Sequence, residues 1–138
     1  MPIMTWDQSL DVHVDAMNRE HKDILDAMNR IYDADARGQT GPAIMAMIGE
    51  LGRITVKHFQ DEEAFMASIK FPDLDRHKLV HARLLTNFTE HVGKIDAAGG
   101  KSSQDFFNFL RYWLSAHIRG LDIKYGEHAK GQKAGKVA

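Results

Sequence analysis

Cysteine is absent from the 138 residues, which excludes disulfides, thiolate-held zinc and cysteine-ligated clusters. No stretch approaches the roughly 18 consecutive apolar residues of a membrane-spanning helix, so no span is expected. The opening MPIMTWDQSLDV lacks the basic region and apolar run of a signal peptide, and a cytoplasmic location is the expectation. Charge of one sign is also missing. Lys and Arg number 18 against 19 Asp and Glu, for a net charge of -1, without the basic stripe that a nucleic acid would require. No segment alternates with the period of a strand, and there is no internal repeat or low-complexity linker. What stands out is the presence of eight histidines.

The length suits one domain able to bury about two-thirds of its unfolded surface. Helical spacing of apolar residues occurs four times. The first stripe holds Met17, His21, Ile24, Leu25, Met28, Ile31 and Tyr32, with Asn18 as the expected cap and Gly38 as the stop. The second opens at Gly41-Pro42, holds Ile44, Ile48, Leu51, Thr55, His58, Glu62, Phe65 and Ile69, and stops before Phe71-Pro72. The third runs from about Asp73 through Leu74, His77, His81, Leu84, Leu85, Phe88, Val92 and Ile95 to Gly99-Gly100. The fourth begins after Ser102 or Ser103 and carries Phe106, Leu110, Trp113, Leu114, His117, Ile118 and Leu121. Four such helices joined by short loops predict an all-α, up-down-up-down antiparallel four-helix bundle. The expected division of a single domain is an extended arm at 1–16 containing Trp6, the bundle at 17–125, and a small, basic, frayed tail at 126–138.

Five histidines and one carboxylate sit on these apolar stripes: His21, His58, Glu62, His77, His81 and His117. His58 and Glu62 are four apart, as are His77 and His81, which on a helix is about 40° of rotation and ~6 Å of rise. Each pair therefore points at one place. Burying such groups without partners would cost on the order of several kcal/mol each. Up-down-up-down topology puts the start of the first helix beside the end of the second, the start of the third and the end of the fourth. All six residues fall at that end. Asp122 joins them only if the helix is irregular, because a spacing of five from His117 is about 140° on a regular α-helix. A π-type turn between Ile118 and Asp122, around Gly120, is therefore predicted.

Taken singly, a histidine on an apolar face is more often a packed core residue than a ligand, and the Met, Phe and Trp positions are mostly core. His13, His91 and His128 have no comparable company and read as surface or packing residues. Five histidines and two carboxylates converging from four stripes point instead to a metal site. Imidazole and carboxylate without sulfur suit iron, zinc or manganese. Seven ligands exceed one four-coordinate zinc and suit two ions bridged by carboxylates. The histidine-rich set differs from the four-Glu, two-His set of ferritin-like centres.

Those segments resemble the hemerythrin family. HFQDEE supplies H-x-x-x-E, HKLVH supplies H-x-x-x-H, and HIRGLD supplies H-x-x-x-x-D, all after an early histidine in DAMNREHKDIL. The likeness runs from Trp6 to about Tyr125, fills all seven ligand positions, and is closest in kind to the bacterial single-domain members. It implies a pair of irons. His77, His81 and His117 would hold one that is coordinatively full; His21 and His58 would hold another that keeps an open position for dioxygen. Glu62 and Asp122 would bridge them together with an oxo or hydroxo group. Two divalent ions, two carboxylates and one hydroxide would leave a single positive charge. Phe59, Trp113, Leu114 and Ile118 match the wall of the oxygen pocket, and Tyr125 a position near the bridging Asp. Two positions depart from the family pattern: Asn18 stands where Asp is common and His13 where Gly is common.

The implied function is reversible dioxygen binding for storage, transport or delivery, by a monomer that is not an enzyme, with an oxygen-consuming enzyme as the expected acceptor class. The competing readings are a peroxidase-like di-iron enzyme, iron or nitric oxide handling, and oxygen sensing. Sensing is disfavoured because neither a signalling domain nor a long coiled-coil extension accompanies the bundle.

Overall fold

The four stripes fold as four helical rods. The computed structural model describes residues 3–137, with side chains through residue 131, so that Met1, Pro2 and Ala138, the ends of the expected arm and tail, lie outside the described residues. Helix α1 spans Asp15–Ala36, α2 Pro42–Ser68, α3 Leu74–Ala97, α4 Gln104–His117 and α5 Ile123–Val137. Between α4 and α5 runs a five-residue π-helical turn, Ile118–Asp122, flanked by residues in the right-handed helical region. Helix α4, the π-turn and α5 therefore form one continuous rod, and the irregularity predicted around Gly120 is present. Helix α1 packs along α2 and α4, and α2 along α3. Ile24, Met28, Ile31, Ile44, Ile48, Leu51, Phe106 and Leu110 are all buried and fill the apolar half of the bundle. Among the described residues no helix is long and apolar enough to cross a membrane.

Local chemistry accounts for most helix ends. Pro42 occupies the first turn of α2, where its missing N–H leaves no extra orphan. The Ser103 hydroxyl accepts from the Phe106 amide at 3.1 Å and caps α4. Beyond α3 the Gly100 amide donates to the Ile95 carbonyl at 2.9 Å. Gly100 has φ +82, and a Cβ there would lie 2.5 Å from the Gly41 backbone, so the two loops at this end approach this closely only because residue 100 is glycine.

The N-terminus of α1 differs from expectation. The helix begins at Asp15, with Val14 as a cap that has no side-chain bond. Asn18 lies inside it. Its Oδ1 accepts from the Val12 amide at 3.0 Å and its Nδ2 donates to Asp11 at 2.8 Å, so it fastens the arm to the bundle instead of capping. The arm carries a short 3-10 turn, Gln8–Leu10, and the Asn29 amide binds the Ile3 and Met4 backbone. Lys22 Nζ stands 4.8 Å over the Trp6 ring, and Leu10 and Val12 are fully buried. A Cβ on Gly126 would come within 1.8 Å of the Val12 carbonyl oxygen, so glycine is what lets the arm lie against α5. The segment expected to fray is helical through Val137.

Candidate metal centre

Each rod contributes to one buried cluster. His21 comes from the second turn of α1, His58 and Glu62 from the later half of α2, His77 and His81 from the start of α3, His117 from the last residue of α4, and Asp122 from the end of the π-turn. All seven are buried, and Glu62 and Asp122 have no exposed surface. Their donor atoms form two groups: Glu62, His77, His81 and His117 in one, and His21, His58, Glu62 and Asp122 in the other.

The carboxylate oxygens sort cleanly between these groups. Glu62 Oε2 lies 3.2 Å from His21 Nε2 and 3.1 Å from His58 Nε2. Its other oxygen, Oε1, lies 2.9 Å from His81 Nε2 and 3.6 Å from His77 Nε2. Asp122 Oδ2 stands 3.0 Å from His21 Nε2, while Oδ1 is 3.1 Å from His77 Nε2 and 3.0 Å from His117 Nε2. Despite these separations, neither Asp122 oxygen has a hydrogen-bond partner. The lone pairs of Asp122 are thus left free among converging imidazole nitrogens, while Glu62 shares hydrogen bonds with His21 and His81 and His77 with His117. Two donors bound at right angles to one ion by bonds of ~2.1 Å stand about 3.0 Å apart, which is the spacing found. The residues fit a pair of cations.

The outer faces of two imidazoles carry carboxylates. His58 Nδ1 donates to Glu20 at 2.7 Å, and His81 Nδ1 donates to Glu63 at 2.8 Å. In the metal-free chain protons take the place of cations. Burial pulls the His58 pKa down, but Glu62 and the hydrogen bond to Glu20 outweigh it and push it up to about 10. His117 is likewise opposed by burial and raised to about 10 by the charges of Asp122 and Glu62. Burial works to raise Glu62, yet the His58 charge and the surrounding imidazoles hold it well below the usual carboxylate range.

The sequence-predicted wall residues are all buried. The Phe59 ring stacks on His81 at 3.8 Å and meets Trp113 edge-on at 5.8 Å. Trp113 in turn stands 6.1 Å from His117. Leu114 and Ile118 flank His117 on the same rod. The Tyr125 hydroxyl, fully buried, donates to Glu62 Oε2 at 2.7 Å. Glu20 and Glu63 were not anticipated. Each is the chain neighbour of a ligand-type residue, but each sits off the apolar stripe, where acidic residues are ordinary. His13 and His91 stand apart from the cluster; His13 is paired with Asp11 and His91 stacks on Phe109. His128 contacts the Ile69 carbonyl.

Comparison with known proteins agrees with this geometry. The model of the hemerythrin HHE cation binding domain matches residues 12–127. Bacteriohemerythrin of Methylococcus capsulatus is 31% identical over 130 residues, covering 91% of this chain and 96% of that protein. Myohemerythrin of Riftia pachyptila is 31% identical over 120 residues, covering 87% and 88%. A crystal structure of a hemerythrin point mutant superposes with a TM-score of 0.82 at 30% identity, over 93% of this chain and 98% of that one. The chain belongs to the hemerythrin family, whose members bind dioxygen at a non-haem di-iron centre.

Proposed function

We propose that the chain is a reversible dioxygen carrier, serving storage, transport or delivery, and that the seven converging residues are its iron ligands. His77, His81 and His117 would hold one iron; His21 and His58 would hold the other, which has one protein ligand fewer and so keeps a position free. Glu62 and Asp122 would bridge. The observation that carries this reading is the sorting of oxygens: each carboxylate turns one oxygen to each histidine group. When bound, two ferrous ions supply the electrons on which reversible dioxygen binding depends.

The protein's own part is to hold the ligands and keep the site dry. Tyr125 donates to Glu62 Oε2, the oxygen that also faces His21 and His58, and so restrains the bridging carboxylate. Phe59, Trp113, Leu114 and Ile118 present hydrocarbon and indole surface, which excludes water and offers neither acid nor base for turnover. A small cavity of about 10 Å³ lined by Leu51, Thr55, Leu84, Leu110 and neighbouring rings abuts Phe59 and Trp113 and extends that apolar side. This surface favours a carrier over a peroxidase-like enzyme, whose turnover needs a positioned proton donor.

The test follows one sample through a cycle. Iron is counted, reduced without oxygen, and the visible spectrum is recorded before air, after air and after its removal. Two irons per chain with a band that appears in air and fades on removal are expected. Two irons that oxidise once and do not return would overturn the carrier reading, and His77→Ala with undiminished iron would overturn the ligand assignment.

A further inference from the structure

We infer that Glu20 and Glu63 are positioning residues, one for each iron, which turn the Nε2 atoms of His58 and His81 inward as donors. The inference rests on the metal-centre reading above. An ionised carboxylate only accepts hydrogen bonds. The contacts of 2.7 Å from Glu20 to His58 Nδ1 and 2.8 Å from Glu63 to His81 Nδ1 therefore place a proton on each Nδ1. A neutral imidazole with its proton on Nδ1 carries its lone pair on Nε2. Those two Nε2 atoms face opposite oxygens of Glu62, at 3.1 Å and 2.9 Å, and belong to different donor groups. Each group thus has one imidazole clamped between an outer and an inner carboxylate. By contrast, the buried Nδ1 atoms of His21 and His117 have no partner. Glu20 reaches from α1 to α2, and Glu63 from α2 to α3, so the same bonds also set the rods in register at this end. An anionic partner on Nδ1 makes Nε2 the stronger donor, and loss of such partners typically weakens metal binding about 10–100-fold.

Both carboxylates are partly exposed, 26% for Glu20 and 28% for Glu63, so their removal leaves the core intact. The test titrates metal-free wild type, Glu20→Ala, Glu63→Ala and Glu20→Gln with Co²⁺ by calorimetry, with helicity checked by circular dichroism. Wild type is expected to bind two ions. Each Ala variant is expected to keep one site at wild-type affinity and weaken the other about 10–100-fold. The two variants should weaken different sites, so the double variant weakens both. Proton resonances of the Co²⁺-loaded chains assign the loss: Glu20→Ala should expose the His58 Nδ1–H to solvent exchange and leave that of His81 protected. Glu20→Gln keeps an acceptor without charge and should recover part of the affinity; should the Ala variants not fold, its several-fold loss against wild type carries the test. Two wild-type sites with all variants within twofold would overturn the inference alone. A wild-type chain that binds no Co²⁺ would overturn the metal-centre reading, and this inference with it.

Discussion

Removing one oxygen atom, in Tyr125→Phe, isolates the support that the fold gives to its most buried carboxylate. Tyr125 has no exposed surface, and its ring, packed edge-on to Phe65 at 5.7 Å, is retained in phenylalanine, so no cavity larger than a hydroxyl is left. What disappears is the 2.7 Å hydrogen bond to Glu62 Oε2. Glu62 is ionised in the metal-free chain, because the surrounding imidazoles hold its pKa well below the usual range. Burial and the charges of Asp122 and Glu62 push the Tyr125 phenol well above its ordinary value, so the donor stays protonated. A hydrogen bond to a charged group is worth about 1.5–3 kcal/mol. At roughly 3–4 °C per kcal/mol for a chain of this size, the metal-free variant should melt about 5–10 °C lower, with an unchanged denaturant slope. Thermal unfolding of the metal-free proteins measures the shift, and urea unfolding the free-energy loss. A loss below about 0.5 kcal/mol, within the range of an ordinary surface substitution, would refute the claim that Tyr125 supports Glu62.

Leu114→Ala empties a site that is 1% exposed and should cost roughly 3 kcal/mol of stability while speeding autoxidation of the iron-loaded chain; an unchanged autoxidation rate would leave Leu114 a packing residue alone. His13 holds φ +64, a conformation that strains any residue with a Cβ, so His13→Gly should add up to about 1 kcal/mol of stability and raise the urea midpoint, and a lowered midpoint would contradict it. Stability of the metal-free chain should fall as pH rises. His58 and His117, raised to about 10 in the fold against ~6.5 when unfolded, contribute fully below pH ~6.5 and nothing above ~10. Urea midpoints at pH 6, 8 and 10 that stay level or climb would oppose it.

The bundle and its ligand-type residues were legible because they break a pattern. A histidine at a stripe position carries a desolvation cost that only a shared partner offsets, so His21, His58, His77, His81 and His117 could be read from spacing, and topology brought them to one end. Asp122 was legible for a related reason: a spacing of five made sense only with a π-turn, and the turn is there at Ile118–Asp122. Asn18 was misread because a good capping residue near a helix start resembles a cap. Its side chain instead satisfies the arm, at Val12 and Asp11, and the helix starts a turn earlier without a side-chain cap. The basic end of the chain was read from composition, which says little about a helix already nucleated by the rod before it.

Glu20 and Glu63 mark where such reading stops. Both lie on polar faces, where a carboxylate costs nothing and therefore signals nothing. They gain meaning only from the distance between rods. Glu20 follows Arg19 and precedes His21, so on its own helix it is rotated about 100° from that histidine, away from the α1 contribution to the cluster and toward α2. Glu63 instead follows Glu62, from which it is also rotated by about 100°, and it reaches His81 on α3. A residue next to one member of the buried cluster in the chain thus reaches an imidazole of the cluster on the next rod, at 2.7 Å in one case and 2.8 Å in the other. In a bundle of antiparallel helices this is a geometric consequence of the helical turn: one residue faces the centre while its neighbour faces the seam. Ligands can be found by asking what an apolar stripe cannot tolerate. The groups that aim them can be found only by asking, once the rods are packed, what each buried imidazole does with its second nitrogen.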